Sequence, residues 1–260
     1  MERVCVELKK TLLSDNPDYC SLYATTGLFN NILPVIADNL TGRYAKKLLL
    51  TCKYTDNELP LRLAAILFVC SPDEARTALR NLRMDNKTID TVVKILTYTP
   101  LHIDETEPAV REALHQCGRD IFMLVIRLQR ASIKASEEIT FISNPAKYNH
   151  LNKLQRMADD ILERGDCFTI KALDISGNDL IEYGLQGHEI GETLKSLLDI
   201  VIENPKLNDK ATLIAIEYIM KADIKKVFSF ELKDISQIRL FADVYSDAMI
   251  CLLYTSDAAD

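Results

Sequence analysis

The sequence contains no tryptophan, only eight prolines, and no apolar run of the roughly 18 residues that a transmembrane helix needs. Its start, MERVCVELKK, is charged from the second residue, which excludes a secretory signal peptide. The seven cysteines are scattered and form no CxxC pair, which favours reduced, mostly buried thiols over a disulfide or zinc framework. Together these absences predict a cytoplasmic protein without a membrane segment.

Recognisable catalytic motifs are also missing. There is no GxGxxG and no phosphate-binding P-loop pattern. The four histidines are not at metal-ligand spacing, and His115 is expected to be a surface or half-buried residue of a helix. The adjacent acids Glu137-Glu138 and Asp159-Asp160 cannot face one another on a helix. No catalytic or metal-ligating residue is therefore nominated, and the residues alone indicate a helical binding module rather than a complete enzyme.

Length and charge set broad limits. A chain of 260 residues is long enough for one large domain or for two or three small modules. The formal net charge of −7 argues against nucleic-acid binding by the surface as a whole, although a local basic face can coexist with an acidic total.

The pattern of apolar residues predicts an all-α fold of many short helices joined by short turns, because no segment alternates as a strand would. Leu59–Cys70 is nearly all apolar, which indicates a buried helix. Ser71 has the signature of an N-cap for the next helix. Thr106–Ser136 reads as a long helix with a break at Gly118, and Phe141–Asn149 reads as a linker.

Four of the eight glycines lie in one stretch, ISGNDLIEYGLQGHEIGETLKSLL. Gly177 is expected in a turn before a short helix, Gly184 at the left-handed end of that helix, and Gly187 at the start of the next one. Gly191 falls one turn inside that helix, where alanine would suit better by roughly 1 kcal/mol. Its presence is explained either by close helix packing or by another molecule approaching the backbone.

Five segments, in order along the chain, resemble bacterial tRNA CCA-adding nucleotidyltransferases. ERVCVELKKTLLSDNP and TGLFNNILPVI are similar to the neck of that family, and LPLRLAAILF and RNLRMDNKTIDTVVKIL are similar to its body. The strongest similarity is ILERGDCFTIKALDISGNDLIEYGLQGHEIGETLKSLLDIVIENPKLNDKATLI, which resembles the tail: a GND element, a G.EIG..L..LL helix and a P.LN turn.

The resemblance implies an elongated array of parts: a neck at 1–60, a body with degenerate HD-like helices at 61–145, and a tail at 146–220, followed by an unassigned helical end at 221–250. The family's catalytic α/β head carries a glycine-rich loop, a DxD carboxylate pair and an arginine-rich motif, and none of these is present in this sequence. We therefore expect no cofactor and no activity from this chain alone, whereas Mg²⁺ with CTP and ATP is expected to serve the complete enzyme.

Two departures from the family pattern fall in the body. Phe68-Val69 stands where many relatives carry the His-Asp pair of an HD metal motif, and neither side chain can ligate a metal. Ser132 stands where relatives often carry aspartate. Hydrolysis of phosphate esters at an HD-type site is therefore not expected.

The resemblance implies that the chain is the portion that holds tRNA by its acceptor stem and elbow, through backbone and shape rather than base edges. The candidate RNA-binding residues are Arg43, Lys46, Lys47, Lys171, Asn178, Gly187, Gly191 and Lys195. For Gly191, the molecule approaching the helix would then be the RNA backbone. Two alternatives stay open: a helical protein interaction module, which the acidic charge favours, and the C-terminal part of a poly(A) polymerase relative.

The last ten residues, CLLYTSDAAD, resemble the in-frame translation of a sequencing adapter. We therefore expect 251–260 to be an adapter-derived scar and the natural C-terminus to be missing from the sequence.

Overall fold

A computed structural model describes residues 2–37 and 45–221, and within these ranges it is all-α, as the sequence predicts. The candidate residue Arg43 lies outside the described residues, as do 222–250 of the unassigned helical end and the proposed scar at 251–260. No helix in the described ranges is long and apolar enough to cross a membrane.

The helices follow one another with short connections, and three short 3-10 turns lie between them. In chain order they are α1 (Glu2–Leu12), α2 (Ser21–Thr25), α3 (Phe29–Ile32), α4 (Pro34–Ala37), α5 (Ala45–Tyr54), α6 (Leu59–Ile66), α7 (Pro72–Asn81), α8 (Asn86–Tyr98), α9 (Glu107–Cys117), α10 (Arg119–Thr140), α11 (Pro145–Arg164), α12 (Gly177–Glu182), α13 (His188–Glu203) and α14 (Lys210–Lys221).

The described residues form two compact units, and both are discontinuous in sequence. The first unit consists of the residues up to Glu105 together with Gln116–Met157, and the second consists of Thr106–His115 together with the residues from Ala158 onward. The three-part division into neck, body and tail stays a prediction.

Helix α6 forms the centre of the first unit. Its residues from Leu61 to Ile66 are all buried, as the apolar run predicts. The predicted extent to Cys70 was wrong, because the helix ends at Ile66 and Val69 is exposed. Helix α5 packs on α6 and along the 22-residue α10, and α8 packs on α6, α7 and α10. These contacts bring the first half of the chain and α10 onto one core.

A buried arginine in α6 ends another helix of the same unit. Arg62 is 6% exposed, and its guanidinium donates to the carbonyl of Leu12 and, at 2.8 Å, to that of Ser14. Leu12 is the last residue of α1, and Ser14 lies two residues beyond it. Carbonyl oxygens at the C-terminal end of a helix have no partner within the helix. The guanidinium therefore replaces the water that would otherwise bind them.

Local signals in the sequence place several helix ends correctly. Ser71 and Glu74 form a reciprocal capping box at the start of α7. Gly118, with φ +78°, separates α9 from α10, as expected.

The linker prediction for Phe141–Asn149 was wrong in extent. Helix α11 already begins at Pro145, because proline is well tolerated in a first helical turn, and the connection is only four residues long.

The second unit has its own core, formed mainly by the inner faces of α13 and α14 and by the segments that precede them. Buried aliphatic residues from α12, α13 and α14, including Leu180, Leu197, Val201 and Leu213, pack together there. Helix α13 contacts α12, α14 and the 3-10 turn at Ile170–Ala172. Helix α13 begins within the glycine-rich stretch, with Gly187 at its N-cap and Gly191 inside its first part.

Candidate nucleic-acid interface

The beginnings of α12 and α13 lie side by side. Ser176 and Asp179 form a capping box at the start of α12, in which each side chain accepts from the other residue's backbone N–H. A Cβ built on Gly177 would lie only 3.2 Å from Cγ2 of Ile190, in the first turn of α13. This tight contact favours glycine at position 177. The turn expected there lies one residue earlier, because Ser176 is the N-cap and Gly177 is already the first residue of α12.

The connection between the two helices uses glycine where the backbone is left-handed. Gly184 has φ +92° just after α12, and Gly187 has φ +57° at the N-cap of α13. Both positions are confirmed as predicted, because a side chain at such φ values is strained. Gly187 has no side chain and therefore supplies no side-chain cap for α13.

A turn after α13 is fastened to the segment before α12. The Asn208 side chain accepts from the Asp174 N–H at 2.9 Å and donates to the Ala172 carbonyl at 3.0 Å. Lys210 forms an ion pair with Asp179. The P.LN turn and the GND element are therefore one structural assembly. The sequence does not predict this contact directly, although both motifs lie in the one segment that resembles the tail of the family.

Gly191 is exposed, and a Cβ added there would meet no atom within 4 Å. The interpretation that close helix packing requires this glycine is therefore wrong, because no helix approaches it. The alternative, approach of an RNA backbone, stays a prediction.

Replacing Gly191 with alanine should stabilise the second unit by about 1 kcal/mol, because the helix gains propensity and nothing clashes. Urea unfolding of the variant measures this. The matched control is Gly187→Ala, which should destabilise by about 1 kcal/mol, since its φ of +57° strains a side chain. A loss of stability in Gly191→Ala would contradict the open surface at this position.

The candidate side chains of the second unit lie on elements that meet at α13. Lys171 is exposed in the 3-10 turn that contacts α13, Asn178 is exposed in α12, and Lys195 is exposed on α13 itself. Neither lysine has an ion-pair partner in the part of the chain that the structure describes. In the first unit Lys46 is exposed and Lys47 half-buried on α5, and both likewise lack a described ion-pair partner.

Acidic side chains also lie at the start of α13. Glu189 is in its first turn, and Glu192 lies 3.3 Å from the imidazole of His188. The helix dipole favours negative charge at the N-terminus of α13. The surface here is therefore mixed in charge rather than uniformly basic. Any anion that binds here must therefore fit between fixed negative charges.

A buried arginine closes the far end of α13. Arg111, on α9, is 2% exposed, and its Nε donates to the Ile202 carbonyl at 2.6 Å while Nη2 donates to the Glu203 carbonyl at 3.2 Å. Its Nη1 lies 3.2 Å from Glu107 and 3.1 Å from Asp166. Cationic donors at a helix C-terminus are favoured by the unpaired carbonyls and by the helix dipole.

A second, half-exposed arginine completes this cluster. Arg164, at the end of α11, lies 2.8 Å from Glu107 and 2.9 Å from Asp166. Hydrogen bonds from Arg164, and then from Arg111, hold the pKa of Asp166 below its usual range. The cluster fixes α9, the end of α11 and the end of α13 together, and so positions the helix that carries the candidate surface.

The described residues contain no group of three or more histidine, cysteine, aspartate or glutamate side chains that could hold a metal ion. His115, nominated as a helix surface residue, contacts the Phe168 carbonyl through Nδ1 at 2.9 Å.

These features describe an all-α protein in which arginine caps and side-chain clamps hold short helices together. The family model described as tRNA nucleotidyltransferase domain 2 matches residues 55–216, which is more than half of the chain. The chain therefore belongs to the tRNA nucleotidyltransferase domain 2 family, a family of tRNA-processing nucleotidyltransferases. Comparison with curated proteins and with solved structures found no match.

Proposed function

We propose that this chain is the part of a CCA-adding tRNA nucleotidyltransferase that holds tRNA by its acceptor stem and elbow. Family membership supports the tRNA-processing role. The observation that carries the finer proposal is the pairing of the first turns of α12 and α13, which lies inside the matched region.

Helix beginnings suit this task because their backbone N–H groups and dipoles bind phosphate oxygens. A-form RNA presents phosphates and 2′-hydroxyls, so a protein recognises it through backbone and shape. At α13, a Cβ added to Gly187 or to Gly191 would meet no described atom within 4 Å, so the surface is open at both glycines. An RNA strand could approach the helix start closely at this point.

The lysines supply the charge. Lys171 and Lys195 lie on elements that meet at α13, and each ammonium is available to a phosphate because no described carboxylate pairs with it. Lys46 and Lys47 supply the same chemistry in the first unit. Because Glu189 and Glu192 repel polyanions that do not fit, we expect affinity for folded tRNA over unstructured RNA.

Nucleotide addition is assigned to the complete enzyme with Mg²⁺, CTP and ATP. The described residues provide no three-ligand set for Mg²⁺, so we derive no chemical step within this chain.

Titration of the folded chain with tRNA tests the proposal. We expect saturable binding at low salt, retained by a minihelix of acceptor and T arms and absent for an anticodon stem-loop. The double variant Lys171→Gln, Lys195→Gln should bind about tenfold more weakly, and its salt slope should fall by about one for each lost phosphate contact.

The charge-matched control is Lys87→Gln combined with Lys94→Gln, because both lysines are exposed on α8 and neither belongs to the proposed RNA-binding set. An equal loss of affinity in the control would contradict the placement on α13. Absence of any tRNA binding by the folded chain would favour the protein interaction module instead. Preference for poly(A) RNA over tRNA would favour the poly(A) polymerase relative.

A further inference from the structure

A cavity of about 510 Å³ opens within the first unit, beside α10 and the first two turns of α11. Its volume falls in the range of about 300–1,000 Å³ that is typical of small-molecule sites. Both departures noted in the sequence, Phe68 and Ser132, lie in its wall. Most of the wall is apolar and comes from Phe68, Leu101, Ile103, Ile133, Leu151 and Leu154.

The polar side chains of the cavity favour an anion. Lys147 lies in the wall, and its ammonium has no ion-pair partner in the described chain. The Ser132 hydroxyl is likewise without a hydrogen-bond partner there, and Gln129 donates to the Thr99 carbonyl at 2.7 Å. Among the described residues that line the cavity, none is aspartate or glutamate.

Carboxylates beside the cavity wall have partners of their own, and Asp104 lies 3.3 Å from the imidazole of His102. Glu105 accepts from Lys153 at 2.6 Å and contacts the imidazole of His150 at 3.0 Å. Glu137 accepts from the Asn144 N–H at 2.6 Å and from the Tyr148 hydroxyl at 3.1 Å. None of these carboxylates forms an ion pair with Lys147 in the described chain, so this exposed cation in the cavity wall is available to an anion.

A smaller cleft of about 290 Å³ adjoins the cavity and shares Ser132, Ile133 and Lys147 with it. Lys47, which the sequence nominated for RNA binding, lies in the wall of this cleft. Lys47 and Lys147, which have no ion-pair partners in the described chain, both line this cleft. Glu137 lines it as well, and its carboxylate accepts the hydrogen bonds from Asn144 and Tyr148 given above. A phosphate placed there would be close to both lysines.

Two imidazoles and one phenyl ring also line the cavity. The imidazoles of His102 and His150 are nearly parallel, with an interplanar angle of 6° and centroids 5.6 Å apart. Phe68 adds a half-buried ring to the same wall. Aromatic and imidazole faces are the surfaces on which nucleobases stack in proteins that bind single-stranded RNA.

We propose that this cavity binds one nucleotide, with the base against the Phe68 wall and the phosphate at Lys147 and Lys47. The same chemistry is available from a free nucleoside monophosphate or from an unpaired terminal nucleotide of an RNA chain. This site contains none of the residues of the α13 surface, although it shares Lys47 with the set proposed above for tRNA, and the experiments below therefore leave Lys47 unchanged.

Calorimetric titration of the full chain with CMP and AMP tests the site. Cytidine alone and inorganic phosphate alone should each bind at least tenfold more weakly than CMP, because each engages only half of the cavity. Lys147→Gln should weaken CMP binding about tenfold, as expected for loss of one charge-assisted contact. Ser132→Met should abolish it by filling the cavity from a half-buried helix position that tolerates methionine.

The matched control is Lys87→Gln, at an exposed position of α8 outside the cavity, and it should leave CMP affinity unchanged. Thermal unfolding confirms that each variant folds. Competition by a short single-stranded RNA would assign the natural ligand to an RNA end, and its absence would assign it to free nucleotides. No saturable binding of any of the four nucleoside monophosphates at millimolar concentration, or unchanged affinity in Ser132→Met, would overturn the proposal.

The α13 surface is tested independently of this site. Lys171→Gln with Lys195→Gln should leave CMP affinity unchanged. A minihelix without a single-stranded end should bind Ser132→Met as it binds the unmodified chain. Failure of one proposal is therefore distinguishable from failure of the other.

Discussion

Replacing Arg111 with alanine is expected to destabilise the second unit by about 3–5 kcal/mol, the cost of removing one partner from a buried ion pair. The guanidinium is 2% exposed, and the Asp166 carboxylate that it contacts is 8% exposed. Without it, the carbonyls of Ile202 and Glu203 lose their donors at the end of α13. A loss of this size is a large part of the stability of an ordinary domain.

Urea unfolding followed by circular dichroism, together with amide hydrogen exchange in α13, measures the loss. Arg164→Ala is the matched control, since Arg164 shares the partners Glu107 and Asp166 but is 45% exposed. An exposed pair contributes about 0–1 kcal/mol, so the control should lose far less. Equal losses in the two variants would show that burial does not distinguish the two arginines.

The second large effect concerns the charge of Asp166. Asp166→Asn keeps the shape of the side chain but removes the charge that pairs with both arginines. The expected cost at neutral pH is about 2 kcal/mol, in the range for hydrogen bonds to charged groups. Glu107 still contacts Arg111 in the variant, which limits the loss.

The pH dependence of this effect has a definite sign. Because the pKa of Asp166 in the folded protein lies below its usual range, the carboxylate stabilises the fold at pH values above the unfolded pKa of about 3.9. That contribution is lost as the pH falls below this value and through the lower folded pKa. Urea unfolding at several pH values should show the difference between the unmodified chain and Asp166→Asn narrowing in acid.

Asp160→Asn provides the control for the acid experiment. Asp160 is exposed on α11, and a surface substitution of this kind changes stability by no more than about 0.5 kcal/mol. A difference between the unmodified chain and Asp166→Asn that stays constant with pH would mean that the carboxylate charge is not responsible for the cost.

Local features of this protein were predictable from the sequence because their causes are local. The burial of α6 follows from a run that is apolar except for Arg62, and the capping box at Ser71 follows from residues three apart. The left-handed backbone at Gly184 and Gly187 follows from residue type and spacing. Each of these depends on residues within about one helical turn.

Features that depend on distant partners were not predictable. Glu107 and Arg111 are four residues apart and resemble an ordinary exposed helix pair, yet Arg111 is buried against carbonyls about 90 residues away. Asn208 gives no local indication that it binds the segment before α12. The packing interpretation of Gly191 failed for the same reason, since only the fold shows which face of a helix is uncovered.

The candidate site was predictable in part. The motifs identified α12 and α13 correctly, and the family match confirms the resemblance on which they rest. Which lysines bind RNA stays a prediction, because a solvated lysine and a phosphate-binding lysine have the same sequence signature. The cavity beside Ser132 was beyond the sequence, since its wall comes from segments that only the fold brings together.

The position of Arg111 also affects how the chain is made. Residues 106–115 are translated early, but the Ile202 carbonyl that Arg111 binds is added 91 residues later. At about 5–20 residues per second, the ribosome needs roughly 5–18 seconds to supply it. During that interval Arg111 has Glu107 as a partner, but the carbonyls at the end of α13 have not yet been made. A gene fragment beginning at residue 158 would omit Arg111 altogether and would leave the last turn of α13 without its cap.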